Sequence, residues 1–144
     1  VMYGRQARAA LREGDQHLAA ALRRFAEVEA AHRRRLEGMM RDLGVTPSPL
    51  TGAGEVAGIA SALAIPPRPK ERLLRAVVWI EQKATDHYLR ASDHAPDPGS
   101  RALLLETLVD EEAHSAWAQE MLEQVLEREE GDTFAASPPA KNLR

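Results

Sequence analysis

Glu29-Ala30-Ala31-His32 and, late in the chain, Glu111-Glu112-Ala113-His114 are the two stretches whose spacing decides the reading. In each, a carboxylate and an imidazole stand three residues apart, about 300° around a helix, so both leave one face and can hold one metal ion. The first pair lies inside an apolar stripe that runs Leu18, Leu22, Phe25, then Leu36, Met39 and Leu43, with Glu29 and His32 filling the missing steps. The second follows Leu104 and Leu108 and precedes Ala118, Leu122 and Val125. Ionisable groups therefore intrude twice into a face that burial should reserve for hydrocarbon.

A third segment repeats the intrusion. Glu81 occupies the stripe between Val77 and Ala84, where a carboxylate is costly unless it is paired or bound to a metal. Three helices thus each place a glutamate in the expected core, and two of them add a histidine. Bundle cores that hold two iron ions are built from one Glu on each of two helices and a Glu-x-x-His on each of the other two. Glu29, His32, Glu81, Glu111 and His114 are the expected ligands. The donors are oxygen and nitrogen, which suit iron or manganese, and zinc can occupy such a site in a purified sample. Glu27, Glu37, Glu112 and Glu120 lie off the stripes and read as solvated; His17 and His94 fall near helix ends and read as structural or surface groups; Trp79 and Trp117 read as packing residues.

Composition agrees with a helical domain. The chain has 144 residues, 44% hydrophobic, 28% charged and only 4% aromatic, enough for one core but poor in the residues that strands favour. A net charge of -3 gives no reason to expect nucleic acid, and Arg33-Arg34-Arg35 is balanced by nearby acids, as on a solvated helix face. Without cysteine there are no disulfides, thiolate ligands or cysteine nucleophile, which suits a cytoplasmic protein. No secretory signal is visible, and no apolar run reaches the ~20 residues of a membrane span.

Read in order, Val1 to Arg12 carries Tyr3, Ala7, Ala10 and Leu11 at helical spacing and stops at Gly14; Val1 falls inside the pattern without initiator Met or cap, so the true start is expected upstream. Asp15 is the expected N-cap of a helix ending at Gly44. Val45 to Gly54 is a connection, Glu55 to Ala64 a short apolar helix broken by Pro66, Pro67 and Pro69. A strong helix follows from about Lys70 to Ser92, then Asp97-Pro98-Gly99-Ser100 as turn and cap, then a last helix from about Arg101 to Glu130. The expected organisation is a helical bundle over 1–130, its first helix cut short, and a flexible tail over 131–144.

At these residues the chain resembles the demethoxyubiquinone hydroxylases, di-iron members of the ferritin-like superfamily. The resemblance rests on Val1-Met2-Tyr3-Gly4-Arg5-Gln6, on Glu29-Ala-Ala-His32, on Val45-Thr46-Pro47, on Ile80-Glu81 with His87-Tyr88 following, and on Asp110-Glu111-Glu112-Ala113-His114. It covers roughly residues 1 to 122 and implies an all-α, ferritin-like antiparallel four-helix bundle with a short extra helix in the crossover. Two irons (Fe2+/Fe3+) are the implied cofactor and oxygen activation the implied chemistry. His87 and Tyr88 are the implied catalytic residues, placed to pass electrons or protons, with Asp110 and Asp86 as candidate partners for the imidazoles. The family's remaining glutamate stands a few residues before the tyrosine matched by Tyr3, so it would precede Val1. The family's apolar C-terminal helices have no counterpart after His114, whose helix is polar-flanked.

Three functions follow as expectations: hydroxylation of a quinone-like ring in ubiquinone biosynthesis, a ferroxidase or peroxidase of the rubrerythrin and ferritin kind, and a helical interaction protein with a degenerate metal site. The expected partners are O2, a small quinone-like substrate and an electron donor. A membrane surface, touched peripherally, and a second copy of the chain are further candidates, and nucleic acid is not among them.

Overall fold

The computed structural model describes residues 2–46 and 69–136, with side chains over 3–46 and 69–129. Four helices account for nearly all of them: α1 (Met2–Arg12), α2 (Gln16–Asp42), α3 (Lys70–Asp93) and α4 (Pro98–Ala136). No described helix is long and apolar enough to cross a membrane. The short helix expected at 55–64 and the end of the tail, 137–144, lie outside the described residues.

The stops and starts follow from local chemistry. Gly14 and Gly44 adopt φ +80° and +71°, and at each the two following-turn bonds close back on the helix, Asp15 N to Ala10 O at 3.0 Å and Val45 N to Met40 O at 2.8 Å. These are left-handed helix ends that a side chain at Gly14 or Gly44 would strain. Asp15 then caps α2, its carboxylate accepting from the Leu18 amide at 2.9 Å. Asp97 does the same for α4, accepting from the Ser100 amide at 2.9 Å with Pro98 in the first helical position. α4 begins three residues earlier than the spacing suggested and continues past Glu130 to Ala136. A lone Gly131 costs a helix interior only about 1 kcal/mol, and the strong breakers come at Pro138 and Pro139.

α1 and α2 form one antiparallel hairpin and α3 and α4 another. Lys70 at the start of α3 donates to Asp15 at the start of α2, 2.8 Å away, so α2 and α3 begin at the same end of the bundle. Where the hairpins meet, Tyr3, Leu22, Phe25, Leu74, Val77 and Ala118 form the core. Leu22 and Leu74 are fully enclosed. The stripes do not stay buried throughout: Leu36 and Met39 are half-buried, and Leu11 and Leu43 are exposed. Trp117 packs against the core. Trp79, expected to pack as well, is 50% exposed, because it lies about 200° around α3 from Glu81.

Candidate metal centre

The apolar stripes carry their ionisable members to one level of the bundle. α2 contributes Glu29 and His32, one and two turns past Phe25; α3 contributes Glu81, directly after Ile80; α4 contributes Glu111 and His114, between Leu108 and Ala118. Glu81 and Glu111 are each 1% exposed and His32 2%, burial that such groups tolerate only with partners. Ligand atoms of Glu29, Glu81, Glu111 and His114 all lie within 4.8 Å of one another. Nδ1 of His114 is 3.5 Å from Glu111 Oε2, 3.8 Å from Glu81 Oε2 and 3.9 Å from Glu29 Oε1. His32 joins through Glu111, its Nδ1 lying 3.4 Å from the other oxygen of that carboxylate.

The cluster is a set of opposed charges in a dry place. Burial pushes the Glu29 carboxyl up to about 7, and the neighbouring Glu111 and Glu81 carboxylates add to the rise. Burial also raises Glu81. For Glu111 burial acts upward but is outweighed by His114, His32 and Glu81, which bring it down to about 2. Burial would depress His114, yet the facing Glu111 and Glu81 carboxylates hold it up at about 9. His32 is raised by Glu111, against the opposing effect of its burial and with the help of Asp110. Without metal, protons on the imidazoles and on a subset of carboxylates balance the charge.

Among the described residues, three buried side-chain atoms nevertheless lack a hydrogen-bond partner: His32 Nδ1, His114 Nδ1 and Glu111 Oε2. All three belong to the cluster, and a buried atom left unpaired costs about 1–3 kcal/mol. One nitrogen from each histidine and one oxygen of the carboxylate between them are the donors that a pair of cations would use, so the residues fit a two-metal centre. His32 is prepared for ligation, since its Nε2 is 2.8 Å from Asp110 Oδ2. A donor proton held there leaves the Nδ1 lone pair facing the cluster. A family comparison adds an independent observation: the rubrerythrin family model matches residues 1–122. The chain belongs to the rubrerythrin family. No individual curated protein and no solved structure shows significant similarity to it.

Membership of the rubrerythrin family makes this a ferritin-like, di-iron type of domain with oxidoreductase character in general, and it carries no support for the demethoxyubiquinone hydroxylases in particular. All five expected ligands of this rubrerythrin-family chain are together. His87 and Tyr88 follow on the same helix, about two turns beyond Glu81. His87 is exposed, because six residues past Glu81 is about 240° around the helix. Tyr88, seven residues on, returns to the Glu81 face and is half-buried, its ring edge-on to His87 at 6.0 Å between centroids. Of the two candidate imidazole partners, Asp110 is engaged and Asp86 is not; Asp86 is exposed and pairs with Lys83 at 3.7 Å.

Two contributors escaped the spacing argument. Tyr3 donates its hydroxyl to Glu81 Oε1, and burial together with the Glu81 charge raises the phenol well above its usual pKa. Phe25 stacks on the His114 ring at 3.9 Å and 31° and is itself held edge-on by Tyr3 at 5.5 Å and Trp117 at 5.2 Å. Each contact joins residues far apart in sequence, so only the tyrosine's place in the family pattern hinted at either. Outside the cluster, Arg35 and Glu106 form a two-pronged pair between α2 and α4, one prong at 3.0 Å.

Proposed function

We propose that this chain binds two iron ions at Glu29, His32, Glu81, Glu111 and His114 and reduces a small oxidant, peroxide or O2, at the expense of an electron donor. The observation that carries the reading is the closed cluster with its three unpaired donor atoms, supported by membership of the rubrerythrin family. Reduction of one peroxide to two waters takes two electrons and two protons, and a reduced iron pair supplies the electrons when bound. The residues supply the rest. Glu111 presents one oxygen toward each histidine, so it can be shared between two ions. Asp110 fixes the His32 tautomer and Phe25 the His114 ring plane. Tyr3 holds one oxygen of Glu81 and turns the other, Oε2, toward His114. Glu29 is the cluster carboxylate that reaches solvent, its side chain 32% exposed, and it is placed to pass protons between water and the interior.

Burial of the other ligands favours a small oxidant over a flat ring, which needs wide apolar walls. Among the clefts of the described surface, one of about 520 Å³ beside Gly4, Ala7 and Leu11 and one of about 420 Å³ beside Lys83, Asp86 and Glu112 are not lined by a ligand. Ring hydroxylation is the second reading, favoured by the placement of Tyr88 on the Glu81 face; the small-residue-rich, weakly apolar crossover from Leu50 to Ile65 would be the wall of its cleft, and it lies outside the described residues. The test is anaerobic loading with Fe2+ followed by hydrogen peroxide or O2. Iron-dependent peroxide consumption yielding two waters is expected, and hydroxylation of a quinone-like ring with an inert response to peroxide would replace it with the second reading. An iron-loaded protein that consumes neither oxidant would defeat both.

A further inference from the structure

We propose that the two metal positions are unequal: the position at His114 loads first and tightly, and the position at His32 loads second and about tenfold or more weakly. The inference rests on the metal-binding reading above and concerns how this chain divides its donors. Glu29, Glu81, Glu111 and His114 converge on one point, so a first cation there meets three carboxylates and an imidazole. His32 stands outside that group of four. Its near contact with the cluster is Glu111 Oε1, at 3.4 Å, with Glu29 acting on it from farther off, and its other nitrogen is held by Asp110. From α1, Tyr3 reaches the cluster through its hydroxyl on Glu81.

Charge widens the difference. A second dication at His32 would lean on Glu111, whose charge the first ion already offsets, and would be repelled by that ion across a short, dry gap. The imidazoles also differ in support. His114 is clamped by the Phe25 ring, whereas His32 depends on Asp110, whose side chain is 48% exposed.

The probe is Mn2+ alone, titrated into the chain of residues 1–144 by calorimetry and followed by electron paramagnetic resonance. Two steps are expected, with Kd values separated by about tenfold or more, and the spectrum of an isolated ion up to one equivalent. The exchange-coupled pair should appear only beyond that point. His32→Ala should remove the second step and leave the first within about threefold, and Asp110→Asn, a change at a half-exposed position, should weaken the second alone by about tenfold or more. A coupled pair already present at half an equivalent, two steps of equal affinity, or loss of the first step in either variant with its melting temperature unchanged would overturn the inequality while leaving the metal centre standing. A chain that binds no Mn2+ would overturn the metal reading together with it.

Discussion

Metal uptake should release protons in a number set by the cluster. At pH 7 a His114 held at about 9 is protonated and a Glu29 carboxyl at about 7 is half protonated. Both must lose their protons to ligate, so about 1.5 protons leave per first ion, rising to nearly 2 at about pH 6. Stripping His114 alone costs about 2.7 kcal/mol at neutral pH. From pH 7 to pH 6 the Mn2+ affinity of the first position should therefore fall by about 50-fold, against about threefold for a histidine and a glutamate of ordinary pKa. Glu81 and His32, both raised, can only add to the proton count. Calorimetry in two buffers of different ionisation enthalpy gives the proton number, and the same titrations give the pH slope. Fewer than about half a proton at neutral pH, with a fall of less than about fivefold, would mean that the cluster does not hold these protons and that the electrostatic account of the site is wrong.

The metal-free protein should lose stability as pH rises from about 5 to 9, because the Glu29 penalty develops between 4.5 and about 7 and the His114 contribution, complete below 6.5, is lost through about 9. On the acid side, the contribution of Glu111 is present above 4.5 and disappears as pH falls through about 2, so melting temperatures should peak between the two limbs. Glu81→Leu should leave the apo protein within about 1–2 kcal/mol of the parent, since relief of a buried carboxyl among like charges is offset by the Tyr3 hydroxyl losing its acceptor, and should remove the Mn2+-dependent rise in melting temperature; a metal-free variant melting far below the parent would contradict this. Asp15→Ala removes both the α2 cap and the Lys70 pair and should cost about 1–2 kcal/mol by urea denaturation, with a value near zero counting against the cap.

What was legible in the sequence was whatever depended on phase within one helix. Glu29, His32, Glu81, Glu111 and His114 were recognisable because each replaces a hydrocarbon in its own stripe. Gly14, Gly44, Asp15 and Asp97 marked helix ends through conformational preferences that act over a few residues. What was not legible depends on how helices face one another. The Tyr3–Glu81 and His32–Asp110 contacts each join residues 78 apart, and no local pattern selects Asp110 over Asp86. The Phe25–His114 stack is equally a product of α2 meeting α4. His87 shows the limit from another side: resemblance placed it in a motif, while helical phase puts it on the exposed side of α3. The half-exposure of Leu36 and Met39 shows the same limit, since an apolar stripe identifies a face that could be buried and does not name what covers it.

The ligands are drawn from both hairpins, Glu29 and His32 from α1–α2 and Glu81, Glu111 and His114 from α3–α4. Each hairpin closes through contacts near in sequence, and such units form quickly. Their docking buries the apolar core and, at one level of it, three unpaired donor atoms and several like charges, so in the bare protein that level opposes the closure that the hydrocarbon contacts drive. An ion at that level would act as a removable cross-link: it would tie the two hairpins and convert its binding energy into assembly energy, so that its departure would loosen the joint between them first.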